Sequence, residues 1–528
     1  MIGFIFTIVF VLYMYYSMPF KKKQSKADIS SELQDAKKLR KYNAKDNDCM
    51  FISKNIYPPL DSHKNQLNTA NFNLIIGTTG TGKSTNIIYN AMMTNNEATK
   101  IITDSSGVIS SDKEIWKQYF LDKDYEVKIL DLIDFDKNLN HFNPLWYVRA
   151  TNNHNRMIKN TKVEPWEQID FDYISSIAST IFDERNNDMD FWNISAKSIF
   201  CFLASVTFYI DNQPRTMQHV EELFNMMFDG DENSPSSMDV LMSELEVEAS
   251  IVKTSNNGMN LTELEDTPRA SLIPEWKRIK SQIESNGDFG DSIRGSFTVK
   301  YRFNQNNVKN VTYKDDMEID LIDSKKLVYF IRVNPMIQNY NYLNSLVFVC
   351  FFNSILQLSK TNEDYCLKKG FLMILDEFGS SFNIPNFDGI ISNLRKFFAG
   401  HGTGGGIYMA VQGITQLEKI YGKEASDIII TNSPIKTFLG GSAVDKHTKE
   451  VVADWAGETK VWNDSKSYTS KNNTIGMSES YHSLLSNYIN KLPRYKALVF
   501  VNNEVYEDDL LFYKNNKNYK NYIKEKDR

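Results

Sequence analysis

The chain has 528 residues, 41% hydrophobic and 24% charged, which excludes a wholly disordered, collagen-like or multi-span membrane protein. Sixty Lys and Arg stand against 66 Asp and Glu, a net charge of −6, so any basic surface for nucleic acid must be local. Cys49, Cys201, Cys350 and Cys366 lack C-x-x-C spacing, which argues against a zinc site or a disulfide framework and fits a reducing compartment.

Ile2 to Met18 carries no charge. With its flanks it approaches the ~20 residues that span a ~30 Å hydrocarbon core. Tyr13, Tyr15 and Tyr16 stand at its end as interfacial aromatics do, followed by Lys21, Lys22 and Lys23. A cleaved signal peptide would need a basic residue before the run and a small-x-small site after it; neither is present. The expectation is a single-pass anchor over 1–20 with the rest of the chain cytoplasmic. Residues 21–45 hold eight Lys and one Arg against Asp28, Glu32 and Asp35, a net +6 suited to anionic lipid beside the membrane.

Asn73-Leu74-Ile75-Ile76 is a short apolar run, and Asn86 to Met93 reads as a helix. Between them lies Gly77-Thr78-Thr79-Gly80-Thr81-Gly82-Lys83-Ser84-Thr85, which matches G-x-x-x-x-G-K-[ST] in the strand–loop–helix setting it requires. Glycines let backbone N–H groups curl around phosphate, and the helix N-terminus adds positive partial charge. Lys83 would reach the β- and γ-phosphates of ATP, and the Ser84 hydroxyl would ligate Mg²⁺.

Such a loop needs an acidic partner. Phe371 to Leu375 is an unbroken apolar run ending in Asp376-Glu377, a strand buried on both faces with carboxylates at its ligand-binding end. Asp376 is the candidate for Mg²⁺, and Glu377 the candidate general base. Gly406 to Val411 reads as a further strand ending in Gln412, either a γ-phosphate sensor or an ordinary strand-end amide. Arg395, on the helix between these strands, is a solvated arginine or one that reaches a neighbouring subunit's site.

Further strand-like runs are Lys100–Asp104, Val127–Asp131, Leu327–Val333, Ile435–Leu439 and Ala497–Val501. Helical patterns alternate with several of them, which predicts an α/β fold with a mostly parallel sheet and helices on both faces. Within 166–303 the strand signal disappears, and an inserted all-α domain is expected, with helices over Ile174–Phe182, Phe191–Ile210 and Met217–Met227. The expected organisation is therefore anchor 1–20, basic linker 21–50, nucleotide-binding parts 51–165 and 304–513 around the insertion, and a basic tail 514–528 that reads as solvated and disordered. Glu221 to Glu248 carries nine acidic residues and no basic ones. It is either a solvated, partly disordered stretch or a dock for a basic protein. Asp288-Phe289-Gly290 resembles a kinase magnesium motif, but no H-R-D loop accompanies it. Gly400 to Gly406 reads as a turn before the Gln412 strand, since it has no Lys-Ser pair and opens no helix.

The order of these pieces resembles the coupling proteins of type IV secretion and conjugation, the TraG/TraD-type P-loop ATPases, from about Asn73 to Tyr513. The resemblance rests on Gly77–Ser84, Phe142-Asn143-Pro144-Leu145, Phe191-Trp192 with Ala196-Lys197, and Leu375-Asp376-Glu377-Phe378 leading to Ile384-Pro385. It continues through Arg395, Gln412, Gln416-Leu417, Tyr421-Gly422 and Leu492 to Val499. It implies a RecA-like domain, a hexameric ring and an anchor in the bacterial cytoplasmic membrane. It implies that Arg395 is an arginine finger acting in trans and Gln412 the coupling glutamine. Partners implied are single-stranded DNA, relaxase and relaxosome proteins, and secretion-channel proteins. One departure stands out: the family's D-P-K-G block is here Asp104-Ser105-Ser106-Gly107. Two other readings stay open, a double-stranded DNA translocase of the FtsK type and a docking adaptor that recruits relaxase without hydrolysing ATP.

Overall fold

The computed structural model describes residues 33–526 apart from 46, 62–63, 68–70, 96, 106, 112–114, 136–139, 150–162, 165, 183–190, 232, 255–259, 286, 334–339, 381–382, 399–403, 457, 470–471, 484–487 and 503. The apolar segment 1–20 and its lysines at 21–23 lie outside these residues.

Ten strands form one sheet. They are β1 (Gln34–Asp35), β2 (Phe72–Ile76), β3 (Thr99–Asp104), β4 (Glu126–Asp131), β7 (Leu327–Arg332), β8 (Phe371–Leu375), β9 (Gly405–Val411), β10 (Ile435–Leu439), β13 (Lys496–Val501) and β14 (Glu504–Asp509). Two hairpins stand apart from it, β5 (Ser250–Thr254) with β6 (Asn260–Leu264), and β11 (Glu458–Thr469) with β12 (Asn472–Ser483). The sheet order is β1-β14-β13-β10-β2-β9-β8-β3-β7-β4. Every neighbouring pair from β10 to β4 is parallel, and β13 alone runs against its neighbours β10 and β14. The mostly parallel α/β sheet read from the strand–helix alternation is present.

Successive side chains of a strand face opposite sides, so an unbroken apolar run is what a doubly covered sheet requires. Phe371, Met373 and Leu375 join one core with Leu74, Ile76, Met409 and Val411. Leu372 and Ile374 join the opposite core with Ile75, Tyr408 and Ala410. Helices α1 (Tyr89–Met92), continuing the π-helical turn Ser84–Ile88, and α2 (Ile115–Leu121) cover this second face.

Helices α3 (Phe171–Ile181), α4 (Phe191–Tyr209), α5 (Met217–Met226), α6 (Ser237–Glu248), α7 (Leu272–Ser285), α8 (Gly287–Lys300) and α9 (Asn306–Thr312) lie between β4 and β7. This insertion also contains the β5–β6 hairpin, which corrects the expectation of helices alone. Its strands read Ser-Ile-Val-Lys-Thr and Asn-Leu-Thr-Glu-Leu, β-branched and alternating, around the turn-prone Asn257-Gly258. Two long apolar helices, α4 and α10 (Asn341–Lys360), would be long enough to cross a membrane, yet most of each is buried in the protein core. The remaining helices are α11 (Phe387–Phe398), α12 (Ile414–Tyr421), α13 (Lys423–Thr431), α14 (Lys446–Asp454) and α15 (Lys517–Lys526).

The Asn143-Pro144-Leu145 block ties the insertion to the sheet. Asn143 caps the 3-10 turn Pro144–Tyr147 and donates from Nδ2 to Arg215 O at 2.7 Å. Its backbone N–H and the Tyr147 hydroxyl both donate to the Asp315 carboxylate, at 3.0 and 2.5 Å. Burial pushes Asp315 up to about 7.

The acidic stretch is mostly helical. Ser236 and Asp239 form a capping box at the start of α6. Asp239 is paired with Lys280 at 2.8 Å, Glu246 with Lys277 at 2.7 Å, and Glu248 with Arg269. Three of its nine acids are thus answered by cations within the insertion. Asp288-Phe289-Gly290 lies on α8 rather than in a loop. The basic tail is likewise ordered as α15, corrected from solvated disorder. Tyr522 is buried and donates to Asp122 at 2.7 Å. Asn516 Nδ2 donates to Asn90 Oδ1 at 2.7 Å, and Asn90 Nδ2 to Leu511 O at 2.7 Å.

Candidate functional site

The site is built where β10, β2, β9 and β8 end side by side. Open α/β sheets bind ligands at such carboxyl ends. The loop from Gly77 to Lys83 leaves β2, with Gly77 N–H bonded to Val411 O at 3.1 Å. Gly80 and Gly82 take left-handed conformations, φ 81° and 93°. At φ 93° a side chain on Gly82 would be strained, and its Cβ would also push aside the Asn86 amide, 2.1 Å away. Thr81 donates to Thr78 O at 2.8 Å, which folds the loop on itself, while Thr79 and Gly80 are exposed at its rim. Thr85 Oγ1 reaches back to Gly82 O at 3.5 Å.

Lys83 is buried, and its ammonium donates to Gly77 O at 2.6 Å, folded over the loop it follows. Ser84 Oγ donates to Asp376 Oδ2 at 3.0 Å. A hydroxyl and a carboxylate in contact form a hard-oxygen pair, and Mg²⁺ is commonly held by one or two carboxylates together with substrate phosphates. The donors present therefore fit that ion. Asp376 is itself fixed, its backbone O accepting from Thr103 Oγ1 at 2.9 Å. Burial, and next the Glu377 charge beside it, push its carboxyl up to about 6.

Glu377 follows with φ 57°, a region few non-glycine residues enter. That turn carries its carboxylate to Gln412, whose Nε2 donates to Oε2 at 2.9 Å; Ser380 Oγ donates to the same oxygen at 3.1 Å. Gln412 is anchored in turn, its backbone N–H bonded to Gln416 Oε1 at 3.0 Å. Lys83, Ser84, Asp376, Glu377 and Gln412 are thus brought into one site. Arg395 is not among them: it is exposed on α11.

Sequence reasoning passed over Arg494 and Ser380. The Arg494 guanidinium donates to Gly80 O from the β10 side of the loop. Arg494 lies in the Leu492–Val499 block of the resemblance, 414 residues from Gly80; only the β10–β13 pairing reveals what it touches. Ser380 lies three residues after Glu377, a spacing at which a hydroxyl can reach back across a turn. Asp104-Ser105-Ser106-Gly107 holds no phosphate-type lysine. Asp104 is buried and accepts from Ser110 N and Oγ at 2.9 and 2.8 Å. Arg332 clamps this segment by donating to Ser110 Oγ, Gly107 O and Asp131 Oδ2 at 2.7, 2.9 and 2.6 Å.

The sequence from residue 23 to residue 526 matches the profile of the type IV secretory system conjugative DNA transfer family. The chain belongs to this family. Comparison with curated proteins returned no match. Among solved structures, the bacterial conjugative coupling protein TrwB in an unbound form superposes with a TM-score of 0.58 at 16% identity, over 92% of this chain and 94% of that one. TrwB in complex with ADP and Mg²⁺ gives 0.58 at 14% identity, over 91% and 93%. TrwB with a non-hydrolysable ATP analogue gives 0.57 at 14%, over the same shares. At these identities the likeness establishes the coupling-protein fold.

Proposed function

We propose that this coupling protein is a membrane-anchored ATPase that drives single-stranded DNA, delivered with its relaxase, into a type IV secretion channel. The observation that carries the reading is the convergence of Lys83, Ser84, Asp376, Glu377 and Gln412 at the ends of β2, β8 and β9, in a chain of the conjugative DNA transfer family. TrwB with ADP and Mg²⁺, on the same fold, supports the choice of ligand.

The residues divide the work. The loop amides from Gly77 to Thr85 would cradle the phosphates. Lys83 would exchange Gly77 O for the β- and γ-phosphates. Ser84 and Asp376 would hold Mg²⁺, which when bound neutralises phosphate charge. Glu377 would accept a proton from the attacking water as Oε2 is released by Gln412, which would register the γ-phosphate. Exposure of Arg395 leaves it available to a neighbouring subunit of a homo-hexamer, a role worth ~10³–10⁵ in turnover. The uncharged run at 1–20 followed by lysines supports anchoring in the bacterial cytoplasmic membrane.

ATP hydrolysis by the full-length chain, measured with and without single-stranded DNA over a protein concentration series, tests this reading. Activity that rises with DNA and steeply with concentration is expected. DNA-independent activity at the same specific rate at every concentration would overturn the shared-site motor.

A further inference from the structure

Arg494 is carried on a rigid mount. Gly440 and Gly441 follow β10, and their N–H groups bond Lys496 O at 2.8 Å and Leu492 O at 2.9 Å. Lys496 N–H closes the turn onto Pro493 O at 3.0 Å. A Cβ on Gly440 would lie 1.9 Å from Pro493 O, so glycine there lets the two backbones touch. The same β10 loop reaches the phosphate loop again, Ala443 N–H donating to Thr78 Oγ1 at 3.3 Å. The turn Pro493–Lys496 is therefore held against β10 at both ends, and its arginine projects onto the exposed rim of the phosphate loop at Gly80.

An arginine bonded to a peptide carbonyl at that rim has a far better acceptor within reach once a polyphosphate occupies the cradle. Guanidinium–phosphate pairs are charge-assisted and frequently bidentate. Arg494 faces the loop from the β10 side, opposite Asp376, Glu377 and Gln412, so it can approach phosphate without meeting the two carboxylates. We propose that Arg494 is a phosphate-binding residue acting in cis: from its bond to the Gly80 carbonyl it turns to the terminal phosphates of a nucleoside triphosphate when one binds. This rests on the nucleotide-site reading above. It assigns the chain its own arginine at the site, separate from the one expected from a neighbour at Arg395.

The test uses the full-length chain with mant-labelled AMPPNP as probe, plus steady-state ATP hydrolysis. Arg494→Ala should raise the probe's Kd ~10-fold, as expected for loss of one charge-assisted contact, and Arg494→Lys should recover part of it. Thermal midpoints without nucleotide should match the wild type, since the side chain is exposed. Mixing Arg494→Ala with Lys83→Ala subunits should not restore hydrolysis, because the arginine and the lysine serve the same site. Unchanged Kd and turnover in Arg494→Ala would overturn the proposal, and restoration on mixing would overturn its cis character. Failure of the nucleotide-site reading looks different: Lys83→Ala would itself bind and hydrolyse normally.

Discussion

The Gln412 amide and the Glu377 carboxylate, 35 residues apart, meet at 2.9 Å across the ends of adjacent strands. In the reading proposed above, the general base is thereby held by the glutamine that would sense the γ-phosphate. Gln412→Ala should lower kcat ~10-fold while leaving ATP affinity near wild type, because it loosens the base without removing it; Glu377→Gln should lose the full ~10²–10⁴ of a general base. Single-turnover kinetics with a parallel binding titration separates the two. Equal losses in both variants would mean that Gln412 does more than orient Glu377.

Asp376 predicts a pH dependence. Its folded value, about 6, lies above the ordinary carboxylate value of 3.8, so between the two the folded chain holds the extra proton. The associated stability is fully present below pH 4 and is lost as pH rises through 6. Asp376→Asn should therefore stabilise the nucleotide-free protein at pH 7.5 by about 3 kcal/mol, with the gain shrinking toward pH 4.5. Urea midpoints across that range, alongside loss of Mg²⁺-dependent hydrolysis, check it. A gain independent of pH would show that the carboxylate is not the source.

Gly440→Ala puts a methyl group against Pro493 O. Overpacking of this kind costs about 1–3 kcal/mol. The Arg494 turn should shift with it, so nucleotide affinity should fall in the same variant. Thermal unfolding and the mant-nucleotide titration read both effects; a drop in stability with affinity intact would separate the mount from the arginine.

Arg332 and Asp131 form a pair in which Asp131 is 1% exposed. Arg332→Met would strand that carboxylate and release Gly107 and Ser110, an expected loss of about 3–5 kcal/mol. Asp131→Asn in the same background should return part of the loss, and chemical denaturation of the single and double variants measures it.

The parts of the site legible in the sequence are those whose chemistry is local. Gly77–Ser84 is a contiguous motif, and Asp376, Glu377 and Gln412 each end an apolar run, so strand pattern alone brings them to one edge. Arg494 was read only as part of the Leu492–Val499 block, because its contact with Gly80 is set by pairing of β13 with β10, which no short window records. The clamp on Asp104 was hidden likewise, since Arg332 follows it by more than two hundred residues. In the fold, the long buried strands β2, β3, β8 and β9 announced themselves, while β14 (Glu-Val-Tyr-Glu-Asp-Asp) carries four acids and did not read as a strand. Its pairing with β13 overrides a weak propensity. The tail misled in the opposite direction: its lysines suggested solvent, but Tyr522 and the Asn516–Asn90 contact dock it.

That docking has a consequence for biogenesis. The helix behind the phosphate loop is tied through Asn90 to Leu511 and Asn516, and its Tyr89 ring meets Tyr513 at 5.1 Å. A nascent chain emerges N-terminus first, so the loop leaves the ribosome hundreds of residues before the segment that braces it. The candidate nucleotide pocket is completed only once residues 511–516 have been made, and a copy terminated before β13 would lack the brace as well as Arg494. Truncated copies would thus carry the phosphate loop without the contacts that hold its helix in place.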